Sequence, residues 1–172
     1  MKIVSCQYQR HGKAILDIFN KAIATSTALY DYEPRTLATL QKWFEAKEEY
    51  NYPIIGIEND GVLMGFATYG AFRSWAAYKY SVEHSVYVDV RFRGKGVGKK
   101  LLTELIQLAQ QQNYHTIIGG IDAENKISVS LHKSLGFVYC GTIRQAGFKF
   151  DRWLNLEFYQ LILPTPDNPT AV

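Results

Sequence analysis

Val86-Tyr87-Val88-Asp89-Val90-Arg91-Phe92-Arg93-Gly94-Lys95-Gly96-Val97-Gly98-Lys99-Lys100 is the stretch on which the fold turns. Its first half closes a strand-like run from Ser81 to Val90. Its second half is a glycine turn that opens a helical run, Lys99 to Gln112. Glycines let the main chain curl and bring N–H groups close to an anion. A helix N-terminus adds unpaired donors and partial positive charge. Arg93, Lys95, Lys99 and Lys100 add formal charge at the same point. The stretch therefore reads as a seat for a phosphate-bearing ligand.

Three nucleotide motifs compete for it. A Walker A loop ends in Gly-Lys followed by Ser or Thr, but Gly98-Lys99 is followed by Lys100, which removes the magnesium-binding hydroxyl. A dinucleotide fingerprint needs G-x-G-x-x-G beside a first strand, whereas Gly94, Gly96 and Gly98 have another spacing and lie mid-chain. The third pattern, R/Q-x-x-G-x-G/A, is met by Arg93-x-x-Gly96-x-Gly98. That pattern resembles the acetyl-CoA loop of the GNAT superfamily of N-acetyltransferases. By itself it leaves open an ordinary glycine turn capping a helix.

The surroundings strengthen the resemblance. Leu101, Leu102, Leu105, Ile106, Leu108 and Ala109 give the following helix one apolar face. A strand, Thr116 to Ile121, comes next. Then Asn125, Ser128, Leu131, His132, Gly136 and Phe137 form N-x-x-S-x-x-L-H-x-x-x-G-F, which looks like the second GNAT motif. Val82-Glu83-His84-Ser85-Val86-Tyr87-Val88 resembles the V-E-x-[ST]-V-Y-V strand of the phosphinothricin and methionine-sulfoximine N-acetyltransferases. Gly147-Phe148-Lys149-x-x-x-Trp153 resembles a segment near the end of that group. The chain is identified by this resemblance, which runs from about Ile3 to Ile162, as a member of the group.

The pattern of elements is β-α-α-β-β-β-α-β-α-β-β. It implies an α/β (α+β) GNAT fold with a mixed, mostly antiparallel sheet of about seven strands and helices on both faces. Expected elements are a first strand at Lys2–Tyr8, a helix from Gly12 to Ile23, a second helix entered at Glu33-Pro34, and a Pro53–Glu58 and Val62–Tyr69 hairpin about Asn59-Asp60-Gly61. Tyr139–Arg144 and Phe148–Leu163 read as a terminal strand pair. Residues 1–163 read as a single domain, and 164–172, with three prolines, as a loose tail.

Composition bounds the partners. A chain of 172 residues, 47% hydrophobic, is long enough for one real core. A net charge of only +3 without a long basic run argues against a nucleic-acid protein. No apolar stretch reaches the length of a membrane span. Cys6 and Cys140 have no metal spacing and read as buried thiols of a reducing compartment, so a cytoplasmic location is expected. No H-E-x-x-H or carboxylate cluster is present, and no metal is expected. His11, His84 and His115 gain no role.

Acetyl transfer needs a base for the ammonium, polarisation of the thioester and help for the leaving thiolate. Glu83 is the leading base candidate, three residues before Val86. The alternative is a strand-end carboxylate paired with a cation. His132 is the second candidate, as acid, oxyanion donor or positioning group; a lone helix His is otherwise structural. Tyr87, counted with Val86 and Val88 among the expected cofactor-binding residues, could also assist, although strand alternation turns it away from Val86 and Val88. The resemblance implies that main-chain groups of Val86 and Val88 pair with the pantetheine arm and that Arg93, Gly94, Lys95, Gly96, Val97, Gly98 and Lys99 hold the diphosphate. It also implies cofactor contacts at Asn125 and Ser134, Asn125 fitting a helix cap equally well.

The resemblance further implies an acceptor with an α-carboxylate and a tetrahedral oxidised head: phosphinothricin, methionine sulfoximine or methionine sulfone. Arg73 is the expected carboxylate clamp. Tyr30, Trp75, Tyr78, Lys149 and Trp153 are expected walls of the pocket. The loop Phe72-Arg73-Ser74-Trp75-Ala76-Ala77 lacks the several polar donors of the herbicide-resistance enzymes. A peptide or protein acceptor, and a non-catalytic acyl-CoA-binding module, are the rival readings. A homodimer is implied by the resemblance alone.

Overall fold

Short apolar runs alternating with amphipathic helices give the order β1 (Lys2–Ser5), α1 (Tyr8–Thr25), α2 (Leu37–Glu49), β2 (Ile54–Asn59), β3 (Val62–Ala71), β4 (Ser81–Val88), α3 (Val97–Gln111), β5 (Thr116–Asp122), α4 (Lys126–Ser134), β6 (Val138–Lys149) and β7 (Arg152–Ile162). The structure is a computed structural model that describes residues 1–171. Its seven strands form one sheet in the order β1-β2-β3-β4-β5-β7-β6. The pairs β1/β2, β2/β3, β5/β7 and β6/β7 are antiparallel, and β4/β5 is parallel. The sequence pattern of seven strands and four helices is thus reproduced element for element.

The chain groups into two compact units. One holds Met1–Thr68 and Val86–Leu102; the other holds Tyr69–Ser85 and the chain from Thr103 onward. The first is built on an aromatic cluster. Phe19 of α1 meets Phe66 of β3 at 4.8 Å and Tyr87 of β4 at 5.0 Å, both edge to face. Trp43 of α2 closes on Phe19 at 5.4 Å. Such pairs add about 0.5–1.5 kcal/mol each beyond burial of their area. Tyr87 is thereby committed to packing, as strand alternation implied. The second unit is organised by β5, β7 and β6, with the β5/β7 ladder running from Thr116↔Ile162 to Asp122↔Leu156.

Several boundaries differ from those read in the sequence, each for a local reason. α1 begins at Tyr8 because His11 Nδ1 accepts the Gln7 N–H at 2.9 Å, a cap set one turn inside the helix. β1 accordingly stops at Ser5. α2 starts at Leu37, after Thr36, whose hydroxyl accepts the Thr39 N–H at 3.2 Å while Thr39 Oγ1 accepts the Thr36 N–H at 3.0 Å. Two threonines make the reciprocal cap usually supplied by Ser/Thr with Glu/Gln. β6 runs on to Lys149 and turns at Phe150-Asp151, both in the left-handed region (φ 52° and 56°). The turn carries no glycine, so the usual hairpin signal is missing.

Cys6 is buried, with its thiol pushed up to about 12 by burial and then by Glu58. Cys140 is exposed, contrary to the expectation of two buried thiols, because it stands on the outer strand of the sheet. Two residues of the C-terminal segment bond to the preceding chain. Thr165 Oγ1 donates to the Tyr114 carbonyl at 2.6 Å, and Thr170 N–H donates to the Tyr80 hydroxyl at 3.0 Å. Val172 lies outside the described residues. Among the described residues no helix is long and apolar enough to cross a membrane.

Candidate active site

After β4 the chain makes a short turn before the glycines. Asp89 accepts the Arg91 N–H at 2.9 Å and holds its guanidinium at 2.6 Å. Arg91 is therefore tied to Asp89, whose carboxyl Arg91 keeps below its ordinary range. Gly94 and Gly96 both have positive φ, 73° and 77°, and a Cβ on either would meet nothing within 4 Å. Glycine is required here by backbone sign, and the space above it is open. α3 starts at once, with its first bond from Lys100 N–H to the Gly96 carbonyl at 3.0 Å. The N–H groups of the first turn have no acceptor inside the helix. The first turn holds no acidic residue, and Arg93, Lys95, Lys99 and Lys100 lie in or just before it in the chain, the Lys100 ammonium donating to the Met1 carbonyl at 3.1 Å. Curled backbone, orphan donors, open space and cations together fit a diphosphate.

Glu83 and His84 are neighbours on β4, and two glycines of β5 show where each points. A Cβ added at Gly120 would come within 3.1 Å of Glu83 Oε1. A Cβ added at Gly119 would come within 2.9 Å of His84 Nε2 and 3.2 Å of His132 Nε2. Successive Cβ positions point to opposite faces of a sheet. Glu83 therefore lies on one face of β5, and His84 with His132 on the other. The two catalytic candidates read from the sequence, Glu83 and His132, are not brought together.

Glu83 is half-buried, and loss of solvent raises its carboxyl above the ordinary value, while the charge of Arg73 opposes the rise. Leu156 Cδ1 and Phe158 Cε1 also lie within 4 Å of the Gly120 Cβ position, which gives that side an apolar wall. Arg73 stacks its guanidinium over Phe72 at 4.5 Å. Phe72 and Tyr78 meet at 5.9 Å, and Trp75 and Tyr78 at 6.3 Å, with Trp75 and Tyr78 both exposed. Arg73, Trp75 and Tyr78 thus form one group with Glu83's electrostatics in reach. Lys149 and Trp153 belong instead to the β6/β7 hairpin end, where Trp153 packs on Phe148 at 5.1 Å and Lys149 is buried with its ammonium 5.1 Å from the Phe150 ring. Tyr30, exposed, lies between α1 and α2.

Asn125 caps α4: its Oδ1 accepts the Ser128 N–H at 3.1 Å. Ser134 donates its hydroxyl to the Leu131 carbonyl at 2.7 Å, within its own helix. His132, on α4, is 3% exposed and has both ring nitrogens engaged. Nδ1 is 2.6 Å from the Ser128 carbonyl, and Nε2 is 3.0 Å from Nε2 of His84. The rings are nearly parallel, and Phe137 stands edge-on to both. Burial, and then the nearby His132, push His84 down to about 3. Burial also lowers His132, against the pull of the Ser128 carbonyl.

His84 was given no role by the sequence reading. A signal was available: adjacent glycines inside a strand mark a close approach, and Gly119 makes room for the two imidazoles. Among the described residues no group of three or more His, Cys, Asp or Glu side chains is placed to hold a metal.

A glycine turn opening α3 after β4, and a desolvated carboxylate on β4, are features that acyl transfer from a nucleotide thioester could use. Residues 15–137 match the model of the Acetyltransferase (GNAT) family, and the chain belongs to that family. It is 41% identical over 160 residues to the L-methionine sulfoximine/L-methionine sulfone acetyltransferase of Salmonella typhimurium, covering 92% of each chain. It is 36% identical over 160 residues to the phosphinothricin N-acetyltransferase of Streptomyces viridochromogenes, covering 91% of this chain and 86% of that protein. The solved structure of yncA from Salmonella typhimurium, with its cofactor acetyl-CoA, superposes with a TM-score of 0.94 at 37% identity, over 99% of this chain and 98% of that one.

Proposed function

We propose that this enzyme transfers the acetyl group of acetyl-CoA to the α-amine of a small amino-acid analogue of the methionine sulfoximine, methionine sulfone or phosphinothricin type. The observation that carries the reading is Glu83, a carboxylate raised by desolvation with Arg73 as its cationic neighbour. Two relatives covering most of the chain act on such acceptors by name. The raised carboxyl is suited to take a proton from an ammonium, directly or through a water. Arg73 pairs with the acceptor's carboxylate, with Trp75 and Tyr78 as walls.

Acetyl-CoA, when bound, supplies an acetyl thioester open to attack by the uncharged amine. The chain's part is to hold it. The β4/β5 ladder runs only from Ser81↔Thr116 to Glu83↔Ile118, which supports main-chain pairing of the pantetheine arm with Val86 and Val88 beyond it. The loop from Arg93 to Lys99 receives the diphosphate, and Asn125 and Ser134 are further cofactor contacts in this reading. His132 serves the same reaction from the opposite face to Glu83.

Residues 1–163 act as a single catalytic domain in the cytoplasm, in this reading. The enzyme works as a homodimer. The outer strand β6 and the hairpin beside it expose Val138, Tyr139, Ile143, Phe148, Phe150 and Trp153, an apolar surface suited to a second copy.

The test is release of coenzyme thiol from acetyl-CoA on addition of L-methionine sulfoximine, with turnover that saturates in acceptor. No release with that compound, the sulfone or phosphinothricin would overturn the reading. Arg73→Met should raise KM for the acceptor about tenfold or more. It should also move the acidic limb of kcat/KM to higher pH, because the cation that favours the Glu83 carboxylate is gone. A limb that stays put would separate Arg73 from the base.

A further inference from the structure

The imidazole pair of His84 and His132 has only one arrangement of protons that satisfies its hydrogen bonds. A carbonyl accepts and never donates, so His132 Nδ1, 2.6 Å from the Ser128 oxygen, carries a hydrogen. In the neutral ring His132 Nε2 is then an acceptor. Its partner, 3.0 Å away, must supply the donor, so the hydrogen of His84 sits on Nε2. His84 Nδ1 is left as a bare acceptor. It is the buried side-chain polar atom without a hydrogen-bond partner among the described residues.

We propose that His84 is a positioning residue for the transfer reaction: it donates from Nε2 to His132 Nε2, locks His132 in the Nδ1–H form, and leaves its own Nδ1 as the pair's one open proton acceptor. The role in the reaction rests on the reading of His132 given above. The protonation pattern does not. It follows that His132 holds no outward N–H in the resting enzyme. A proton added to the pair is held at His84 Nδ1 or, passed across the Nε2–Nε2 bond, on His132 Nε2, where it stays bonded to His84. The pair acts as one unit with one added proton.

Few charges compete for that role. Gly119 of β5 brings none, and Phe137 is apolar. Tyr159 of β7 lies 6.5 Å from His132, with its hydroxyl given to Glu157 at 2.8 Å. The Lys133 ammonium stands 6.0 Å from the Tyr159 ring. Glu83 is on the opposite face of β5. Burial holds both imidazoles neutral in the resting state.

The test begins with the unaltered protein. Nitrogen-15 NMR of the histidine rings should show hydrogen on Nδ1 of His132 and on Nε2 of His84, both neutral at pH 7.5. The reverse tautomer at either ring, or a charged pair, would overturn the proposal without any variant. Two variants carry it further. His84→Gln keeps a donor toward His132 Nε2, whereas His84→Met removes it. Loss of the donor should release the His132 tautomer in the ring spectra and lower kcat about tenfold to a hundredfold, with KM for acetyl-CoA unchanged. His84→Gln should recover most of kcat and keep the His132 tautomer. Equal behaviour of the two variants would reduce His84 to a packing residue. If the unaltered protein releases no thiol with any acceptor, the functional reading fails while the ring assignments stand or fall on the spectra.

Discussion

Replacing Glu83 with Gln should lower turnover at neutral pH by about 10²- to 10⁴-fold, the usual contribution of a positioned base. Acetyl-CoA affinity should stay within about twofold. Gln matches the carboxylate in shape but cannot take a proton from an ammonium. Gly120, which leaves room for Oε1, accommodates the amide equally well, so the fold is undisturbed. Turnover by stopped-flow and coenzyme affinity by calorimetry separate the two effects. A large loss of coenzyme affinity would make Glu83 a binding group. Unchanged turnover would leave it as a strand-end carboxylate paired with Arg73.

Gly96→Asp should abolish coenzyme binding, and the control is Gly96→Asn. The φ of 77° at this position is one that Asp and Asn adopt more readily than other side chains. The two are nearly isosteric, and the space beyond Gly96 is open, so both variants should fold. They differ in charge. One carboxylate about 4 Å from a diphosphate costs about 4 kcal/mol per unit charge at an effective dielectric near 20. That corresponds to roughly a thousandfold in affinity. Gly96→Asn should lose far less. Equal affinities for the two variants, measured by calorimetry at matched ionic strength, would move the diphosphate away from this loop.

The sequence declared the order of elements and the glycine loop because both rest on local rules. Apolar period marks strand and helix, and only glycine suits the backbone at residues 94 and 96. The family followed from two motifs in the right order, and the matching model covers residues 15–137. Boundaries were less legible where the cap is unconventional. His11 caps α1 from inside the helix, and Thr39 stands where a longer acid is the usual partner. The β6/β7 turn at Phe150-Asp151 carried no glycine to announce it.

The arrangement of the site was less legible still. Alternation separates Glu83 from His84, but only the approach of Gly119 and Gly120 to their side chains shows which partners lie on each face. That information is spread across β4, β5 and α4. His84 gained no role from the sequence because its partner is 48 residues away, and its neighbour Glu83 drew the functional reading. Asn125 was legible as a cap and is one.

The uneven placement of the two sulfurs matters at the bench. Any colorimetric reagent that counts coenzyme product also reacts with surface mercaptans. Cys140 on the outer strand will contribute background wherever a second copy does not cover β6, while Cys6, buried and pushed up to about 12, stays silent until the chain unfolds. A Cys140→Ser version gives a clean baseline, and late reactivity of Cys6 then becomes a built-in reporter of denaturation.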